Sequence, residues 1–321
     1  MRLLPFIAAS AMVINLTPGI VAQTRTLSLT IDDLPFVSGA DSPPVDAGEA
    51  IKANRQLIRA LIRHHVPVTG FVIQRNVETL GQGAGTVILR DWIRHGLDLG
   101  NHTYSHPDFD HLAVEQFESQ ILRGEATFLP LMKAAGRDAK FFRFPANHTG
   151  DTKEKHDALT VFLALHGYRL APCTIEDSDW LFNMAYAQMR ARHDRAAEAR
   201  LRGAYLAYAA AEIDFLTRLN KQVLGYEPPE IMLIHDNQLN ADVIDKLLTL
   251  FEERQYHWVT LTQAESDPVY QAPDAFITSY GPMWGYRWAK ERGVKVDGSL
   301  EPDPPRWVSE YGKQVPELTK R

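Results

Sequence analysis

The feature that most constrains this chain is a rhythm. From Arg25 to about residue 262, short apolar runs of strand character alternate with longer stretches of helical periodicity, and no two-residue hairpin signal intervenes. Strands separated by helices need crossover connections, and crossovers make neighbouring strands parallel. About seven such units leave two architectures open, a closed barrel or a doubly wound sheet.

The first strand is Arg25–Ile31, in which Leu27, Leu29 and Ile31 alternate with polar residues, so one face is expected to be buried. A Pro/Gly/Ser-rich loop over 35–46 leads to a helix over 47–65, with Ile51, Leu57, Leu61 and Ile62 at helical spacing. Val66–Ile73 reads as a second strand, 86–95 as a helix and 96–101 as a third strand running into His102. The long helix over 113–135 offers Phe117, Ile121, Leu122, Phe128 and Leu129 to a core. Strands then follow at 141–144, 168–174, 231–234 and 257–261, with helices at 152–166 and 240–254.

Two stretches depart from the rhythm. Residues 181–226 are long, rich in Ala and Arg and helical throughout, which suggests an insertion packed over one rim. Residues 266–321 scatter Tyr270, Phe276, Tyr280, Trp284, Trp288 and Trp307 among Gly and Pro, as expected of an irregular extension that packs its rings on the barrel. That leaves residues 23–265 as the main domain.

Composition narrows the partners. A net charge of −6 without a dense Lys/Arg block argues against nucleic acid or an anionic membrane surface. Cys173 is the one cysteine, so no intramolecular disulfide is available. Residues 1–22 join Arg2 to a short apolar run and end at Ala22, the pattern of a secretory signal, so the expectation is export to the periplasm or beyond. No other segment is long and apolar enough to span a bilayer, and nothing in the sequence sets the oligomeric state.

The chemically useful side chains fall at strand ends: Asp32 and Asp33 after the first, His102 and His106 after the third and Arg143 at the fourth. Asp179 and Trp180 follow the fifth, and His235 the sixth. In a parallel barrel those ends share the face where sites are built. His102 and His106 are either a surface pair or two ligands for one ion, and Asp33 would complete a His₂Asp set with open positions. Zinc suits that set, although cobalt, nickel, manganese or iron(II) can use the same ligands. Asp32 is then a candidate general base, and His235 either a general acid or a hydrogen-bonded core residue.

In this order Thr30-Ile-Asp-Asp-Leu-Pro35, His102-Thr-Tyr-Ser-His106, Arg143-Phe-Pro145, Asp179-Trp180 and Leu233-Ile-His235 resemble the five motifs of the polysaccharide deacetylases with NodB homology, carbohydrate esterase family 4. The resemblance covers roughly residues 26–262. It implies a distorted (β/α)7 barrel, a metal triad of Asp33, His102 and His106, Asp32 as base and His235 as acid. It further implies that Arg143 holds the base by a charge-assisted hydrogen bond and that Asp179 orients His235. Pro145, Trp180 and Leu233 would shape the groove for the acyl methyl group. Two departures are visible: Leu34 stands where the motif usually has glycine, and Ala146 follows Pro145 where a tyrosine is usual.

The expected activity is removal of an N-acetyl group from a carbohydrate, with one divalent ion. Two alternatives stay open: the same machinery acting on a non-carbohydrate amide or imide, and a carbohydrate-binding relative without turnover.

Overall fold

The structure, a computed structural model, describes residues 24–39 and 46–313; the expected signal at 1–22 lies outside them. Its centre is the strand β1 (Thr26–Leu34), buried along nearly its whole length. Leu27, Leu29 and Ile31 join the main hydrophobic cluster. The alternate row of Ser28, Thr30 and Asp32 is equally buried, so the expected single buried face is in fact two. This is what a strand inside a closed sheet must do, with helices on one side and the barrel interior on the other.

The other strands are β2 (Val68–Val72), β3 (Asp98–Asn101), β4 (Lys140–Phe142), β5 (Tyr168–Leu170), β6 (Ile175–Glu176), β7 (Glu230–His235) and β8 (His257–Trp258). Every pairing is parallel, in the order β5-β4-β3-β2-β1-β7-β6, and β8 pairs with the start of β1. The sheet curls into a distorted (β/α) barrel with its seam between β5 and β6. Pro172 breaks the expected fifth strand at that seam, because it lacks the N–H a ladder needs. The segment between them is stitched to both sides: Ala171 N donates to Phe142 O at 2.8 Å and Thr174 N to Ile231 O at 2.9 Å.

Residues 181–226, expected as a helical insertion packed over one rim, also carry the chain from one strand to the next. They lie mostly in two helices, Asp179–Ala191 and Arg195–Leu224. The second buries Leu201, Tyr205, Ala209, Ile213 and Leu216, and packs against β6 and the helix Gln238–Glu253. It is the crossover between β6 and β7. The buried residues recur at intervals of three and four, a stripe that the surrounding alanines and arginines obscure in the sequence.

The last stretch is more regular than expected. The helix Trp284–Glu291 buries Trp284 and Trp288, and Trp284 N donates to Cys173 O at 2.9 Å. The helix Arg306–Lys313 packs on Asp179–Ala191. Smaller differences follow from amphipathic faces: Leu122, expected in the core, is exposed on its helix, as is Ile62. Among the described residues no helix is long and apolar enough to cross a membrane.

Candidate active site

Asp32 and Asp33 do not emerge where β1 stops. Both lie within it, and the register with β2 slips between Ile31 and Leu34. At this bulge Asp33 adopts φ +67, the left-handed region that aspartate tolerates better than most residues. The ordinary alternation of side chains is interrupted, so both carboxylates reach one imidazole. Asp32 Oδ2 lies 3.7 Å and Asp33 Oδ1 3.6 Å from His102 Nε2. Leu34, in the glycine position of the motif, turns away into the core, where a Cβ on Gly70 would lie 2.7 Å from its side chain.

His102 is 1% exposed, and its Nδ1 is 2.8 Å from the carbonyl oxygen of Arg143. Because a carbonyl only accepts, Nδ1 carries the proton and Nε2 presents its lone pair to the aspartates. Burial first, then neighbouring His106, holds the His102 pKa well below the ordinary histidine value, which keeps the ring neutral. His106 Nε2 is 3.8 Å from Asp33 Oδ1, and the two imidazoles meet edge to face at 4.8 Å between centroids.

The loop that carries both histidines hangs on the helix Val114–Ala134. Tyr104 N donates to Gln120 O and Ser105 N to Gln120 Oε1, while His106 N is held by Thr103 Oγ1 at 2.9 Å. Gly124 makes this approach possible, since a Cβ there would fall 2.5 Å from Asn101 Oδ1 and 2.9 Å from the Thr103 backbone.

The donor atoms of Asp33, His102 and His106 all lie within 4.8 Å of one another, and Asp33 Oδ1 is buried without a protein hydrogen-bond partner. One carboxylate and two neutral imidazoles, with an unanswered buried oxygen among them, fit a divalent ion. A second cluster, Asp108, Asp110 and His148, also meets the spacing for a metal. There the His148 Nδ1 is already engaged with Asp108 at 2.8 Å, and Lys155 lies 2.7 Å from the Asp110 carbonyl oxygen. Asp110 Oδ1 is likewise buried without a protein partner, but none of the three residues lines the cavity that holds Asp32 and His235.

Asp32 sits 2% exposed and outside the metal set. Burial pushes its carboxyl up to about 6, against the opposing pull of Arg143 and His235. Arg143 does not make the expected hydrogen bond to it. Its Nη1 stands 3.9 Å from Asp32 Oδ2, while Nη2 donates to Thr30 Oγ1 at 2.8 Å. Arg143 therefore acts on Asp32 through charge at ion-pair distance, anchored from β1 itself.

His235, in register with Asp32 on the adjoining β7, directs Nδ1 at Asp179 Oδ1, 2.7 Å away. Asp179 Oδ2 accepts from His235 N, Asn237 Nδ2 and Asn240 Nδ2, so its orientation is fixed from three sides. Burial alone would depress the imidazole, but the Asp179 charge and hydrogen bond raise its pKa well above the ordinary value.

These groups open on a cavity of about 380 Å³ lined by Asp32, Asp33, His102, His106, Trp180, Leu233 and His235, together with Phe144, Ala146, Asn147, Glu176, Gly281 and Met283. Trp180 is half exposed at its mouth, and Leu233 is 5% exposed in its wall. Pro145 is not in the lining; its neighbours Phe144, Ala146 and Asn147 take that place. Arg143 lies beneath Asp32, and Asp179 behind His235.

Sequence reasoning missed Glu176, whose carboxyl burial and then Asp179 raise to about 7, and it missed Gly281 and Met283. The one available signal for Glu176 was its place three residues before Asp179 at a strand end. Residues 181–226 contribute nothing to this lining.

Residues 21–161 match the family model for polysaccharide deacetylase. A peptidoglycan-N-acetylglucosamine deacetylase from Bacillus cereus is 29% identical over 100 residues, 31% of this chain and 34% of that protein. The match thus spans about a third of the curated relative.

A carbohydrate esterase family 4 pseudoenzyme from Bacillus anthracis superposes with a TM-score of 0.50 at 15% identity, covering 75% of this chain and 65% of that one. A family 4 carbohydrate esterase from Streptomyces lividans gives 0.46 at 18% identity, over 75% and 95%. The first of these similarities speaks to the fold alone. Asp32, Asp33, His102, His106 and Arg143 fall inside the matched stretch, whereas Asp179 and His235 lie beyond it. The similarity of this chain to the polysaccharide deacetylase family is thus carried by residues 21–161.

Proposed function

We propose that this protein is a metal-dependent deacetylase that hydrolyses the N-acetyl group of an amino sugar. The observation that carries the reading is the division of labour at the β1 bulge. Asp33 joins His102 and His106 in one donor set while the adjacent Asp32, equally close to His102, stays outside it with a carboxyl that burial raises to about 6. The similar pseudoenzyme is a reminder that this fold does not guarantee turnover, so the reading rests on the side chains. Export is our reading of residues 1–22 alone.

Asp33, His102 and His106 would hold the ion, zinc by preference, with cobalt, nickel, manganese or iron(II) able to use the same donors. A divalent ion bound there supplies Lewis acidity to the amide carbonyl and acidifies a water. Asp32, as carboxylate, accepts the proton of the attacking water. Arg143 keeps that carboxylate from rising further in pKa, because a cation beside it favours the charged form.

His235, held protonated by Asp179, delivers a proton to the departing amine. Trp180 and Leu233 bound the space for the acyl methyl group, together with Phe144 in the place expected of Pro145. The sugar is carried over as a substrate class from the curated relative, and the cavity volume is that of a pocket for a small ligand.

The test is acetate release by the metal-reconstituted protein from N-acetylglucosamine oligomers, alongside simple N-acyl amides and cyclic imides. Metal-dependent release from the sugars is expected. Hydrolysis confined to the small amides or imides would move the substrate class, and metal binding without hydrolysis of any compound would overturn the reading.

A further inference from the structure

Beside the catalytic cavity lies a second one of about 350 Å³, and the two share Glu176, Gly281 and Met283 in their walls. The rest of its wall comes from parts of the chain to which no role has been given. Glu212 projects from the crossover helix Arg195–Leu224, and Tyr280, Tyr286 and Glu301 belong to the C-terminal stretch. Three carboxyl groups line this annex, and no lysine, arginine or histidine does.

Glu212 is 2% exposed, and its Oε2 has no hydrogen-bond partner in the protein. A buried carboxyl oxygen left unanswered is costly and calls for a donor. The contact available is another acid: Glu212 meets the Glu301 carboxyl, whose Oε2 already accepts from Tyr286 at 2.5 Å, while Glu176 Oε1 accepts from Ser178 N at 2.8 Å. Burial first, then a hydrogen bond shared with the Glu301 carboxyl, pushes Glu212 up to about 9, so the two acids hold a proton between them where a cation could take its place.

The spacing separates a metal from an organic cation. Among the described residues, Glu176, Glu212 and Glu301 do not form a set whose oxygens lie within 4.8 Å of one another, as the donors of Asp33, His102 and His106 do. A bare ion would leave its ligands out of reach, whereas an ammonium on a sugar ring fills volume as well as charge. Tyr280, 60% exposed at the edge of the annex, offers an aromatic face for such a ring.

We propose that the annex is a subsite for an ammonium group carried by the substrate beside the amide that is cleaved. The chain then prefers N-acyl amino sugars whose neighbouring sugar already bears a free amine. This rests on reading the adjoining cavity as the site of amide hydrolysis.

Two measurements on the metal-loaded protein separate the claims. In the first, acetate release is compared between di-N-acetylated and mono-N-acetylated glucosamine disaccharides. The free-amine substrate is expected to have the lower KM, by about tenfold or more for a charge-assisted contact. In Glu212→Gln and in Glu301→Gln the ratio of the two KM values should fall towards one. In the second, calorimetric titration with the fully deacetylated disaccharide reads the annex without turnover.

Tighter binding than the diacetylated form, lost in Glu212→Gln with the thermal unfolding midpoint retained, supports the subsite even if no acetate is released. Should Glu212→Gln fail to fold, Glu301→Gln, at a partly exposed position, carries the same comparison. Equal KM values and equal binding for the two forms, or a preference that both substitutions leave untouched, would overturn the subsite while leaving amide hydrolysis standing.

Discussion

His102 and Arg143 are coupled through two different atoms of the arginine: its carbonyl oxygen takes the Nδ1 proton of His102 at 2.8 Å, while its guanidinium stands 3.9 Å from Asp32. One residue thus sets the tautomer of a proposed metal ligand and the charge environment of the proposed base. Replacing the side chain removes only the second effect.

Arg143→Met should therefore retain metal, because the carbonyl remains. With the cation gone, the Asp32 pKa should rise above its present value of about 6, since burial is no longer opposed by a neighbouring positive charge. The acid limb of kcat/KM should move to higher pH. An acid limb identical to that of the native protein would show that Arg143 does not act on the base.

The pH profile of the native enzyme follows from the two proton-transfer groups. In the proposed mechanism Asp32 works as a carboxylate, so activity should be lost as pH falls through its pKa. Burial raises that pKa to about 6, and an ion bound nearby lowers it, which puts the acid limb at or below about 6. His235 is proposed to work in its protonated form, and Asp179 keeps that form beyond the ordinary histidine range, so the alkaline limb should lie above neutrality. Rates falling steadily from pH 6 to 8 would contradict these roles.

Asp179→Asn tests the second limb by itself. Removing the negative charge lowers the His235 pKa, and the alkaline limb should shift down in pH while metal content is unchanged. Turnover near neutral pH should drop within the ~10²–10⁴-fold range expected for a general acid. An unmoved alkaline limb would assign it to another group.

Gly281 makes a prediction about packing. A Cβ at this position would fall 1.8 Å from the carbonyl oxygen of Ala146, and Ala146 and Asn147 both hold left-handed backbone, φ +54 and +56. The contact is backbone to backbone, so it has no flexible side chain to absorb the strain. Gly281→Ala should destabilise the protein by about 1–3 kcal/mol, as overpacking does, and should raise KM by displacing the 145–147 turn. A native melting temperature and KM would mean that the C-terminal stretch is not seated on the site.

Much of this was legible in the sequence because it depends on local pattern. The strand-and-helix rhythm pointed to parallel strands joined by crossovers, the motif resemblance to a barrel, and strand-end placement brought Asp32, Asp33, His102, His106 and His235 to one cavity although more than two hundred residues separate the first from the last. What escaped has physical reasons. The left-handed turn at Asp33, which lets two adjacent carboxylates face one imidazole, is set by a register slip against β2 that one strand cannot reveal.

The helix Arg195–Leu224 read as an inserted cover because its buried stripe is diluted by alanine and arginine, and only packing identifies it as a crossover. Gly281 and Met283 enter the wall through tertiary contact alone, with no motif to mark them.

The central claim is that Asp33 and Asp32, neighbours in the chain, do different work. It is tested most directly by measuring bound metal and turnover together in Asp33→Ala and Asp32→Asn. Asp33→Ala should lose both. Asp32→Asn should keep its metal and lose ~10²–10⁴-fold in kcat. Full activity in Asp32→Asn, or full metal occupancy in Asp33→Ala, would contradict the account.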